Sequence, residues 1–223
     1  MAATSLQELF VEELLDMYDG EKRLLRALPK MARAAGSDQL QTAFTTHARE
    51  TARQVSRLEQ VFRTMGEKPR GKKCDGIIGI VEEGNRAMEE LDGPVLDAAL
   101  IAGAQKVEHY EIASYGTLGY FAELLGQDKA KDLLGETLDE EKAADEKLSR
   151  LAKSDVNRDA LVGSEEGDRE ETPRRRGATS GVMGTVRRAA AAVGIANERP
   201  SRRKPSSRGT SRGRRSRGRR SRR

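Results

Sequence analysis

The chain has 223 residues with 41 Lys+Arg against 36 Asp+Glu, and its formal net charge of +5 is the sum of unlike parts. Residues 1–152 hold 20 basic and 28 acidic side chains, residues 153–171 hold 3 and 7, and residues 172–223 hold 18 and 1, giving −8, −4 and +17. The absence of Trp, with four Tyr and four Phe, argues against a sheet core, and a single Cys excludes an internal disulfide framework or a CxxC motif; an all-α core of Leu, Ile, Val, Ala and Met in a reducing compartment is expected.

The N-terminal run MAATSLQELFVEELLDMYDGEK has acids among its apolar residues, no basic leader and no uninterrupted apolar stretch of roughly 18 residues, which points to a soluble, cytoplasmic protein with no membrane partner. Residues 5–35 place Leu6, Leu9, Phe10, Leu14, Met17, Leu24, Leu28 and Met31 at three-and-four spacing, a long helix in which Pro29 predicts a kink or an early end. Gly36 closes it and Ser37 or Asp38 starts a second helix running to about Met65, so the two should form an antiparallel hairpin. IIGIVEEGNRAMEE predicts a shorter helix within residues 74–90. Asp92 as a cap and Pro94 in the first turn open a third long helix to Leu125, and after a turn at Gly126 a fourth runs from Asp128 to about Ala152. Two long hairpins joined by a crossover over residues 67–93 make a four-helix bundle, domain 1–152. Residues 153–181 read as a polar linker and residues 182–223 as a basic, largely disordered tail, with a short helix possible at 182–196 and 13 Lys+Arg but no acid in the last 25 residues.

Carboxylates interrupt the apolar stripes. The third long helix runs Ile101, Ala104, Glu108, Glu111 or Ile112, Tyr115, Leu118, Ala122, so Glu108 and Glu111 stand where Leu is expected. The fourth runs Leu134, Leu138, Glu141, Asp145, Leu148; on the first helix Glu21 lies in line with Met17 and Leu24; on the second, Glu50 has His47 one turn before it and Gln54 one turn after. Residues 21 and 50 are symmetric about 35.5, at Gly36, and 108 and 141 about 124.5, beside Gly126, so all four glutamates can share one layer. Four carboxylates in a dry layer need compensation, and a Glu from each helix with further ligands one turn away is how bundle cores hold two iron or manganese ions. Tyr18, Tyr110 and Tyr115 read as packing and hydrogen-bonding residues, while His109 points about 100° from Glu108, to the surface or a supporting position.

LQELFVEELLDMYDGEKRLLRALPKMA, HARETARQVSRLEQVF, KVEHYEIASYGTL and LLGETLDEEKAADEKL together resemble the YciE/YciF family of ferritin-like stress proteins over most of residues 4–152. The resemblance implies a ferritin-like bundle with a carboxylate-rich di-metal centre, a homodimer, and a link to stress responses. Its inward carboxylates fall on Glu21, Glu50, Glu108 and Glu141, with Glu111 as the extra glutamate of rubrerythrin-like sites. The usual Glu-x-x-His is missing, since Arg53 follows Glu50 and Ala144 follows Glu141 at that spacing. Here the order is His47-x-x-Glu50, leaving Gln54 or Asp145 for the remaining positions.

Two functions of different class are therefore expected. A di-iron or di-manganese bundle would react with dioxygen or peroxide, the alternative being a non-catalytic scaffold with a structural or vestigial metal site. The tail, through Arg202, Arg203, Lys204, Arg208, Arg212, Arg214, Arg215, Arg217, Arg219, Arg220, Arg222 and Arg223, has the arginine density of a nonspecific phosphate binder, which would place the protein on nucleic acid in the nucleoid. The same tail could instead fold back onto the acidic bundle.

Overall fold

The computed structural model describes residues 3–70 and 72–161. The chain forms α1 (Leu6–Ala34), α2 (Asp38–Thr64), α3 (Asp75–Glu90), α4 (Gly93–Leu124) and α5 (Asp128–Leu151), then a π-helical turn over Ala152–Val156. Among the described residues there is no strand, and no helix is long and apolar enough to cross a membrane. Serine caps open the first hairpin: the Glu8 N–H donates to Ser5 Oγ at 3.2 Å and the Leu40 N–H to Ser37 Oγ at 3.4 Å. Gly126 turns the second hairpin at φ 66°, a left-handed conformation that favours glycine.

The helices form a square in which α1 packs on α2, α2 on α5, α5 on α4 and α4 on α1, while α3 covers the α1–α4 side. This is the expected four-helix bundle with a helix in its crossover. Leu24, Phe44, Leu100 and Leu148 meet in one apolar cluster, and Leu14, Leu58, Leu118 and Leu134 in another. The sequence order between the two clusters makes α2 and α4 parallel to each other and antiparallel to α1 and α5, the reason a crossover is required. Docking of α3 depends on Gly76, where a Cβ would come within 2.5 Å of the Tyr110 ring.

Some local expectations are corrected. Pro29 ends nothing, since α1 continues to Ala34. The helix closes on Ala35 in extended conformation rather than on Gly36, whose N–H is taken, with that of Ser37, by the buried Asp97 carboxylate at 2.8 Å each. Asp92 precedes α4 without a side-chain capping bond. The α5 stripe buries Thr137 fully and Leu138 only partly. The backbone kinks at Ser154 (φ −78°, ψ −115°) and resumes as a helical turn to residue 161, and Val156 joins the core at 6% exposure. The remainder of the expected linker and the whole tail lie outside the described residues.

Candidate metal centre

Between the two apolar clusters every long helix turns polar on its inner face. Glu21 from α1, His47, Thr51 and Gln54 from α2, Glu108 and Glu111 from α4 and Thr137 and Glu141 from α5 are all buried. The helical period carries this layer, because Glu21 follows Met17 and precedes Leu24 on one face, and Glu141 lies between Leu134 and Leu148 on another. His47, Glu108, Glu111 and Glu141 each offer a ligand atom within 4.8 Å of the others, a grouping fit to hold a metal ion. His47 Nε2 lies 3.3 Å from Glu108 Oε1 and 3.8 Å from Glu141 Oε2, without hydrogen-bond alignment.

Glu50 Oε2 sits 3.4 Å from His47 Nδ1. A proton on Nδ1 facing that carboxylate leaves the Nε2 lone pair turned toward the glutamates, the usual way a carboxylate orients a metal-binding histidine. Glu21 Oε1 accepts the buried Tyr115 hydroxyl. Gln54 Nε2 donates to Glu140 Oε2 at 3.0 Å, and Arg57 grips the same carboxylate through both terminal nitrogens, at 3.0 and 3.1 Å. Asp145 is drawn to the rim, accepting from Gln105 at 3.1 Å and lying 3.6 Å from the exposed His109. The structure thus gathers Glu108, Glu111, Glu141 and His47, sets Glu21, Gln54 and Glu50 around them, and holds Asp145 at the margin. The twelve tail residues lie outside the described residues. Tyr18, Tyr110 and Tyr115 are hydrogen-bonding residues, to Glu59, Asp16 and Glu21.

The donor set fits a cation. Glu21 Oε2, Glu108 Oε2, Glu111 Oε1, both Glu141 oxygens, Gln54 Oε1 and His47 Nε2 are buried without a hydrogen-bond partner, and a protein rarely leaves so many acceptors together unless protons or metal ions answer them. Burial, then repulsion from Glu141, lifts the Glu21 carboxyl from 4.5 to about 8. Burial lifts Glu108 to about 8 and Glu141 to about 9, and drives Glu111 well above the carboxylate range. Burial opposes a charge on His47, yet the Glu50 bond and the Glu141 and Glu21 charges outweigh it and raise its pKa. Metal ligands must shed these protons, so binding here releases protons and tightens as pH rises.

Sequence reasoning missed Arg57 and Glu140. Glu140 adjoins Glu141 and Arg57 lies one turn past Gln54, but their bond crosses the α2–α5 seam, which pairing helices within each hairpin does not reveal. It also missed the set around Cys74, whose Sγ lies 3.4 Å from Tyr110 Oη while Tyr110 donates to Asp16 at 3.0 Å. Burial pushes the Cys74 thiol up to about 11.

A family described as a domain of unknown function (DUF892) matches residues 5–161. The chain belongs to that family. Protein YciF of Escherichia coli strain K12 is 48% identical over 162 residues, which are 72% of this chain and 98% of YciF. The crystal structure of the E. coli stress protein YciF matches with a TM-score of 0.67 at 48% identity, covering 70% of this chain and 99% of that one. The YcfI structure from Rhodopseudomonas palustris matches with a TM-score of 0.64 at 45% identity, covering 66% and 94%. The resemblance to YciF seen in the four sequence segments is therefore a family relationship, and the bundle over residues 5–161 is the part shared.

Proposed function

We propose that the chain is a stress-associated, ferritin-like protein whose bundle holds two iron or manganese ions and reacts with dioxygen or peroxide. The observation that carries this reading is the layer of buried acceptors without donors around His47, Glu108, Glu111 and Glu141. One imidazole among carboxylates suits borderline and hard divalent cations. His47, Glu108, Glu111 and Glu141 would form the centre of the site, with Glu21 and Glu50 completing a pair and Gln54 Oε1 as a neutral oxygen donor. Bound there, a pair of reduced ions supplies the two electrons that, with two protons, take peroxide to water. The protein's part is to exclude water through the apolar clusters, to hold Glu21 by Tyr115 and His47 by Glu50, and to keep protons on the carboxyls until ions displace them.

Elemental analysis of protein purified without chelators tests this, alongside Glu108→Ala/Glu141→Ala. About two ions per wild-type chain and none in the variant support the reading. A single tight ion, with no spectral change on adding peroxide, would favour a structural scaffold instead.

The sequence also supports attachment to nucleic acid through the +17 segment of residues 172–223, which would bring the bundle to the nucleoid. A gel shift with full-length chain and with a chain ending at residue 171, repeated at raised salt, decides it; equal affinity of the two ends the idea. Homodimer formation is part of the proposal as well, and Tyr120 and Leu124, 59% and 57% exposed on α4, are an apolar face available for it.

A further inference from the structure

The two ends of the polar layer are closed by the apolar clusters, and α3 covers its α1–α4 side with Ile77 packed against Gly20. The α2–α5 seam differs. Toward one end Arg57, Gln54 and Thr137 clamp it around Glu140. Toward the other it opens into a cavity of about 30 Å³ whose lining includes Ala43, His47, Glu50, Glu108, Ala144 and Lys147. That volume holds a water-sized species and nothing much larger. Exposure falls along it, from 30% at the Glu50 side chain to 9% at His47 and 2% at Glu108, so the cavity leads from solvent to the ligand atoms.

The opening has a sequence cause. Ala144 stands three residues after Glu141, where Glu-x-x-His would project an imidazole from α5. Here the imidazole comes from α2 as His47, and at that position the α5 wall carries only the Ala144 methyl, beside Lys147 and Leu148 further along. Ala43 faces the same space from α2 with another methyl. A hydrated divalent cation is too large for such a gap, so it must exchange waters for protein oxygens as it enters. The Glu50 carboxylate, nearer solvent than any other acid of the cavity, offers the first of these, and Lys147 sets an opposing charge beside it.

We propose that this cleft between α2 and α5 is the path by which a divalent cation reaches the buried carboxylates, with its width set by Ala43 and Ala144 and its charge by Glu50 and Lys147. The inference rests on the metal-binding reading. Its physical signature separates it from a role in holding the ion: obstructing a path changes neither end state, so entry and escape must slow by the same factor while affinity stays constant.

The test is stopped-flow binding of cobalt(II) to the metal-free, full-length chain, followed by its ligand-field absorbance, with release measured by chelator challenge. In Ala144→Leu both association and dissociation should slow about tenfold or more, as expected for a barrier raised by one bulky side chain, with stoichiometry and affinity kept. Lys147→Glu, a change at the mouth that the bundle does not need to fold, should speed association severalfold at low salt, and the gain should shrink as salt screens it. Wild-type rates in Ala144→Leu overturn the path, as does lost affinity at an unchanged association rate. Should Ala144→Leu fail to fold, an unchanged association rate in Lys147→Glu at low salt overturns it alone. If the wild-type chain takes up no cobalt, the metal-binding reading itself fails and the path with it.

Discussion

Phe62 and Glu141 are equally inaccessible, both at 0% exposure, yet they are buried for opposite reasons. Phe62 lies in an apolar cluster with Phe10, Leu14 and Leu58 and meets Tyr18 edge to face at 6.0 Å between ring centres, so its burial drives folding. Glu141 lies in the polar layer with both oxygens lacking donors, so its burial costs free energy that the apolar ends must offset. The lesson is a division of labour: the two ends hold the bundle shut, and that surplus lets the middle carry groups chosen for chemistry.

The contrast is tested most strongly by truncating one residue of each kind. Phe62→Ala should lower stability by about 3–5 kcal/mol in urea unfolding, the range for emptying a large aromatic from a packed core. Glu141→Gln keeps shape and removes the ionisable group, so in the metal-free chain it should stabilise already at neutral pH, and more at pH 9, because the unfolded chain sheds this proton above about pH 4.5. If both substitutions cost the same, the polar layer is as structural as the ends and the division fails.

The next effect is pH dependence of the metal-free chain. Glu21 and Glu108 bind their protons with a pKa of about 8 in the folded state and Glu141 with about 9, against 4.5 for the ordinary group. The folded chain therefore holds protons that the unfolded chain has released, and stability falls with rising pH. The contribution is fully present below about pH 4.5 and lost as pH passes through 8 to 9. Unfolding free energies from urea titrations at pH 5, 7 and 9 should decline by on the order of a few kcal/mol in total, and the decline should flatten once ions replace the protons. A midpoint that climbs over this range would mean that the layer is already neutralised by protein cations.

The start of α2, the turn at Gly126 and the inward glutamates were legible in the sequence because each is a property of one helix. Ser37 caps locally, Gly126 turns locally, and the period of α4 puts Glu108 on the buried face with Glu111 or Ile112 next to it, of which the structure buries Glu111. Symmetry about each hairpin turn then brought Glu21 and Glu141 to the right level. What stayed hidden depends on how separate helices rotate against each other: the Asp97 carboxylate on the α1–α2 turn, Tyr110 between Cys74 and Asp16, and the retreat of Asp145 to Gln105. The helical path beyond Ala152 was invisible for a further reason, since one buried Val156 among polar neighbours makes no periodic signal.

Arg57 marks the border between the two regimes. It precedes Leu58 of the apolar cluster, and its guanidinium turns back to Glu140 and Thr137 at the edge of the polar layer. Its side chain is 12% exposed and that of Glu140 26%, so the pair is screened less than a surface bridge without being fully dry. Arg57→Met keeps the packed stem and removes the fork, and should cost about 1–3 kcal/mol through the charge-assisted bonds lost. Adding Glu140→Gln should recover much of that loss, since the acid would no longer be left half-buried with Gln54 as its remaining donor. A double-mutant cycle measures the difference. Near-zero coupling would show that apolar packing alone sets where the dry end stops; a coupling of about 1 kcal/mol or more would show that the seam is pinned by this fork, which also leaves the alanine-lined stretch above it as its weaker side.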